Sequence, residues 1–338
     1  MEIRKLQKIK GGSFTVSLPK DWVEKRKLKS GEQLTVLEEE DGSLRLFPFS
    51  TALSENLEVT LELENFNSVR ALEYCIGTYY MQGSNKINII SKKTIPAEHK
   101  KRLKLLRIEL PGVEVAEEEA NKLSFQVIID PATFSLDTLI SKTSAFSLRL
   151  QEDAIKSLLE QDFQLAAEVL ERSREALRHY RMTIRQIALA SISRLIAKKI
   201  GIKNCQECVT FALTARDLNR LVHHSSSIAK HVLALKNKRK ISKEILGILE
   251  EMSKTAYEMQ EKAVRAFLEK NVQLAITVMG KMNAVREKEE AFLKAVMEKV
   301  KDVDAAVVLG MIARDLRRIA GYAVAVSDNA MNRVLTPT

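Results

Sequence analysis

The sequence predicts a multidomain protein of mixed α and β class: a small β-rich unit, a small α/β sandwich, and a C-terminal pair of three-helix bundles. Three observations predict it. Phe14, Val16 and Leu18 alternate with Ser13, Thr15 and Ser17, the two-residue period of a strand. Residues 51–131 mix that period with the helical one. From Leu136 to Val334 there is no proline, and apolar residues recur at i, i+3, i+4 and i+7, as in a helical bundle. The chain of 338 residues suits two or three domains of roughly 100–200 residues. With 45% hydrophobic residues it has the material for real cores, which excludes a disordered chain.

In residues 1–50, Gly11-Gly12 signals a turn before the first clear strand, and Pro19 stops that strand and starts a short helix over 20–27. A strand over 34–37 then meets Asp41-Gly42, a hairpin signal, and returns through 44–47. Fifty residues make a marginal core, so this unit is expected to fold as an intertwined dimer. Residues 51–131 read as β-α-β-α-β-β, which suggests a ferredoxin-like sandwich. Its strands fall near 57–63, 87–90, 113–115 and 125–129. One helix covers 69–81, and a second runs from Pro96 to the Pro111-Gly112 stop. Pro131 marks the exit.

The helical region, residues 132–338, repeats internally. Leu159–Ala166 matches Leu268–Ala275 at an offset of 109, and Ala215–Arg220 matches Ala313–Arg318 at an offset of 98. The first repeat is therefore the longer by 11 residues, about three helical turns. Each repeat reads as three helices: 136–160, 163–200 and 205–235 in the first (136–235), then 243–270, 272–300 and 303–334 in the second (243–334).

The net charge is +10, a balance that invites nucleic-acid or anionic partners. Its placement blunts that inference. Residues 1–50 are net +2, residues 51–130 net −2 and residues 131–338 net +10. Much of the excess falls at helical spacing and reads as solvated helix faces. No run of about 18 uncharged apolar residues exists, so no membrane span is expected. The N-terminus lacks the apolar core of a secretion signal, and three cysteines make no disulfide framework, so the expected location is cytoplasmic.

The opening segment resembles the AbrB/MazE-type swapped-hairpin domain, also called SpoVT-AbrB. The likeness rests on Gly12–Trp22, then Leu28-Lys29-Ser30-Gly31-Glu32, then the Asp41-Gly42 hairpin. It implies a homodimer of interleaved strands that binds DNA. Arg4, Lys5, Lys8 and Lys10 on the first strand, with Ser13, Thr15 and Lys20, would form the DNA-facing surface, because cations and hydroxyls there can meet phosphates. Ordinary edge-strand charges are the alternative. Trp22 reads as a core residue of this unit.

The helical repeats resemble PhoU, the phosphate-uptake regulator. Ala215–His224 and Ala313–Tyr322 stand where the third helix of each PhoU repeat carries an Ala-x-Asp-Leu-Glu-Arg-Ile-x-Asp-His-like segment. Together the two likenesses resemble an archaeal-type PhoU-domain regulator. They imply a transcriptional regulator of phosphate uptake and homeostasis whose bundle senses state or binds a partner. The alternative is a protein–protein adaptor for phosphate-transport or two-component signalling proteins, in which the N-terminal unit only dimerises.

In PhoU, carboxylates four apart on the third helix help bind metal. Here Asn219 and His223, then Arg317 and Gly321, stand at those positions, so no metal and no cofactor is expected. Asp217 and Asp315 remain nearby, beside arginines that would pair with them. Asp217, His224 and His231 recur at intervals of seven on one helix face, about 10 Å apart along the axis, too far for one metal; they read as ordinary polar-face residues. Cys205-x-x-Cys208 lacks the further ligands of a zinc site and reads as structural. There is no phosphate-binding Gly-rich loop and no assignable catalytic constellation, so no enzyme is expected.

Overall fold

A computed structural model describes residues 3–9, 11–38, 42–48, 57–130, 133–236, 238 and 241–335. Lys10, Asp41 and Pro131 lie outside the described residues. The chain divides into two compact units, residues 1–56 and 57–338, so the packing joins the α/β layer and the helices that the sequence reading separates.

In the first unit, β1 (Gln7–Lys8) pairs antiparallel with β2 (Phe14–Thr15) around Gly11 and Gly12, both at positive φ. Pro19 precedes α1 (Lys20–Lys25), two residues shorter than expected because Lys27 turns left-handed at φ 54°. The strands β3 (Leu34–Glu38) and β4 (Leu44–Pro48) form the expected hairpin, with Val36 opposite Leu46. Among the described residues of this unit only Pro48 is buried, and Trp22 is half-buried. Phe14, Val36 and Leu44 remain 60%, 55% and 63% exposed.

The second unit opens with the strands β5 (Glu58–Glu62), β6 (Lys86–Ile90), β7 (Val113–Glu118) and β8 (Lys122–Val127). Three helices accompany them: α2 (Val69–Met81), α3 (Ala97–Lys104) and α4 (Leu106–Glu109). The expected helix after Pro96 is thus broken at Leu105. The sheet order is β5-β6-β8-β7. Here β5 and β6 are adjacent and parallel across α2, whereas β8 runs antiparallel to both β6 and β7. The ferredoxin-like expectation is corrected. That fold splits its βαβ unit by inserting a strand, but here the β7–β8 hairpin adds at one side and leaves β5-α2-β6 intact. Leu72, Ile76, Tyr80, Ile87, Ile89 and Phe125 fill the core between helices and sheet.

The helices follow as α5 (Leu136–Glu160), α6 (Phe163–Ser173), α7 (Glu175–Ile192), α8 (Arg194–Lys199) and α9 (Cys205–Ala234), then α10 (Lys243–Glu269), α11 (Val272–Gly280), α12 (Met282–Lys299) and α13 (Val303–Asn332). Each long first and third helix starts on a side-chain cap: Ser135 and Asn204 in the first repeat, Ser242 and Asp302 in the second. α5 and α10 both end on left-handed residues, Gln161 and Lys270, each at φ 56°. The single middle helix expected in each repeat is instead divided, at Arg174 and Ser193 in the first and at Lys281 in the second. The extra length of the first repeat lies mainly between Ser193 and Asn204, where the second has only Val300 to Asp302. That insert carries α8 and packs through buried Ile200 and Ile202.

The long helices α5, α9, α10 and α13 pack on one another, flanked by the divided middle helices. Arg333, just after α13, ties three of them together. Its guanidinium lies 4.5 Å from the Phe211 ring centroid and 4.8 Å from that of Phe267, and it donates to the Phe267 carbonyl at 3.0 Å. The sheet layer is fastened to the bundle through α7. Arg185 is buried there and donates to the carbonyls of Tyr80 and Ser84 and to Asn85 Oδ1, each at 2.8 Å. Arg181, one turn earlier, pairs with Glu109 of α4 at 2.7 Å.

Candidate functional site

Arg4, Lys5, Lys8, Ser13, Thr15 and Lys20 are all exposed. The hairpin brings Lys8 opposite Phe14 and Thr15 opposite Gln7. Side chains facing each other across a ladder share a sheet face, and neighbours along a strand alternate. Lys8 and Thr15 therefore leave opposite faces of this ribbon. Lys20 opens α1 and stands 3.6 Å from Glu24 one turn on, a solvated contact between exposed groups.

A second constellation lies where α9 packs on α13. His224 Nδ1 is 2.9 Å from Asp315 Oδ1, and His231 Nε2 is 3.4 Å from Asp315 Oδ2. Ser227 Oγ is 3.3 Å from the same His231 nitrogen. Tyr322 stacks on His224 with centroids 5.6 Å apart. Across the seam, Asn329 donates to Asp217 Oδ2 at 3.1 Å, while Arg216 reaches Asp217 Oδ1 at 3.3 Å. These contacts follow the duplication. At the offset of 98, Asp217 corresponds to Asp315, His231 to Asn329 and His224 to Tyr322. Each third helix thus presents a carboxylate to the residue at the matching place on the other.

The two carboxylates differ electrostatically. Burial pushes the Asp217 carboxyl up, against the pull of Arg216 and Asn329. Burial also opposes ionisation of Asp315, but the hydrogen bond to His224 and the close His231 and Ser227 side chains outweigh it and hold that carboxyl well below the usual range. Beside them, burial and the neighbouring His224 and Arg220 lower the His223 imidazole.

Two expectations are corrected here. His224 and His231 are not polar-face residues; both turn inward onto Asp315, which pairs with histidines instead of its adjacent arginines. Asp217 does not join them but meets Asn329. The spacing of seven put the right residues on one face, but their partner comes from the other repeat. Of the positions compared with metal ligands, Arg317 pairs with Glu289 at 2.5 Å. Among the described residues no group of three or more His, Cys, Asp or Glu side chains is arranged to hold a metal ion. Cys205 is exposed and Cys208 buried, both as free thiols.

A duplicated helical bundle, with its halves joined through reciprocal carboxylate contacts and with a strand-rich unit in front, defines the class of protein. Residues 249–330 match the PhoU domain, and residues 7–50 match antidote-toxin recognition MazE, a bacterial antitoxin domain. The chain thus combines a PhoU domain with a MazE/AbrB-like N-terminal domain. It is 29% identical over 175 residues to phosphate-specific transport system accessory protein PhoU homolog 1 of Thermotoga maritima, covering 51% of this chain and 73% of that protein. The crystal structure of PhoU from Pseudomonas aeruginosa is similar in fold, with a TM-score of 0.52 at 16% identity, over 58% of this chain and 93% of that one. No described helix is long and apolar enough to cross a membrane.

Proposed function

We propose that this chain is a DNA-binding transcriptional regulator of phosphate uptake and homeostasis, acting in the cytoplasm. In this reading the N-terminal unit is a homodimer that holds DNA, and the helical repeats sense state or bind a partner. One observation carries it: the unit of residues 1–56 presents cations and hydroxyls outward while leaving Phe14, Val36 and Leu44 largely exposed. A strand unit with so little buried surface gains its core from a second copy. Pairing doubles the cation set and gives it the two-fold symmetry that suits a pseudopalindromic site. The phosphate connection rests on the PhoU domain and on the name of the Thermotoga relative.

Duplex DNA titrated at several salt concentrations tests the reading, with wild type beside a Lys5→Ala/Lys8→Ala/Lys10→Ala variant. Affinity and salt slope should both fall in the variant, since the slope counts neutralised phosphates. Equal slopes would remove the first strand from the DNA surface.

The second reading is a protein–protein adaptor acting on phosphate-transport or two-component signalling proteins. An apolar row favours it: Val303, Val307 and Met311 lie along one exposed side of α13, and Met297 is exposed on α12. Capture of partners by residues 57–338 alone, equal to capture by the whole chain, would support this reading over the first.

A further inference from the structure

The α/β layer carries a cavity of about 900 Å³ that neither reading uses. It runs along α3 and α4, walled on one side by β7 and on another by Arg178 of α7. Most basic residues of the layer fall between Lys92 and Arg107, against the single acid Glu98. The net charge of −2 over residues 51–130 conceals this concentration. Lys100, Lys101 and Lys104 follow one another along the face of α3 that lines the cavity.

The cations there are of two kinds. Lys104 is held by Glu118 at 3.1 Å, Arg107 by Glu114 at 3.3 Å, and Lys100 donates to the Glu119 carbonyl. Lys101 and Arg178 are exposed and have no hydrogen-bond or ion-pair partner among the described residues. The N-terminus of α3 opens into the same cavity at Ala97, and its cap residue Pro96 supplies no side-chain acceptor for the first backbone N–H groups. An apolar surface completes the lining: Ile95 is buried, while Leu105 and Ile108 are 55% and 62% exposed.

We infer that this cavity is a binding site for a nucleotide, a nucleoside di- or triphosphate. Lys101 and Arg178 meet the phosphates, and Leu105 and Ile108 cover the base. The volume falls in the range of about 300–1,000 Å³ usual for small-molecule sites, far more than an inorganic phosphate fills. Glu118 and Glu114 on the β7 wall are already paired with Lys104 and Arg107, which leaves Lys101 and Arg178 as the cations open to a ligand. Position gives the site a consequence. Arg178 lies one turn before Arg181 and two before Arg185, the residues that fasten the sheet layer to the bundle. A ligand held by both α3 and Arg178 bridges the same seam and stiffens it.

Isothermal titration of the full chain with ATP and ADP tests the site, with inorganic phosphate and adenosine as controls. One nucleotide per chain should bind, with both controls much weaker. In a Lys101→Ala/Arg178→Ala variant the affinity should fall at least about tenfold, as loss of two charge-assisted contacts requires. Neither side chain supports the fold, so the variant should melt like wild type; Lys101→Glu alone gives an independent check. No nucleotide binding at millimolar concentration overturns the inference. So does binding that the variants leave unchanged, or inorganic phosphate binding as tightly as ATP.

Discussion

Asp315 and Asp217 occupy equivalent places in the two repeats but are held in opposite ways. Asp315 → Asn removes the charge that His224 and His231 face and should cost about 1–3 kcal/mol at neutral pH. The folded-state carboxyl is depressed, so its contribution is present above the unfolded value of about 3.9 and fades as pH falls below it. The gap between wild type and variant in denaturant unfolding should therefore narrow steadily as pH falls from about 4 toward the lowered folded-state value. Asp217 has the other sign, because burial raises it. Its ionisation opposes folding as pH rises through the folded-state value, so Asp217→Asn should gain relative to wild type between acid and neutral pH in the same titration. Arg185 is a third critical residue. Burial draws its guanidinium down to about 10, and burial raises the adjoining Tyr80 hydroxyl to about 12. Arg185→Met strands the acceptors of Tyr80, Ser84 and Asn85 and should destabilise by about 2–4 kcal/mol in a thermal or urea melt. No local pattern distinguishes Arg185 from the exposed arginines around it. Its role depends on carbonyls roughly a hundred residues away in the chain.

Elements were more legible than residues. Ser135, Asn204, Ser242 and Asp302 open their helices as capping chemistry requires, because a cap and the N–H it accepts lie within one turn. The ends of α5 and α10 were less visible. A left-handed residue there is commonly glycine, yet the chain uses Gln161 and Lys270. Gln161→Gly should relieve that backbone and raise stability by up to about 1 kcal/mol, read as an increase in Tm. The division at Arg174 escaped the sequence because no proline or glycine marks it; at Lys281 the preceding Gly280 was the one local signal, and both cap residues keep helical dihedrals. Strand positions followed from alternation, whereas strand order did not. Alternation specifies which face is buried, not which neighbour a strand takes. Hence the β7–β8 hairpin joins β6 through β8, and no split βαβ unit forms.

At the scale of the whole molecule the two units should unfold differently. Residues 57–338 have continuous cores and should melt alone at a temperature independent of concentration. Residues 1–56 show one buried described residue, so as a fragment they should fold only as a dimer, with a midpoint that rises with protein concentration. A concentration-independent melt of that fragment would show a self-sufficient monomer. By itself the sequence determined the helical duplication, the places of most helices and strands, and the cationic N-terminal hairpin. All of these depend on periods, caps and turns that act over a few residues. Only the tertiary structure decided that His224 and His231 hold Asp315 while Asn329 holds Asp217, that Arg185 joins sheet to bundle, and that the lysines of α3 share a cavity with Arg178. Those pairings close loops of tens to more than a hundred residues. Their geometry comes from how whole helices pack, which no local period encodes.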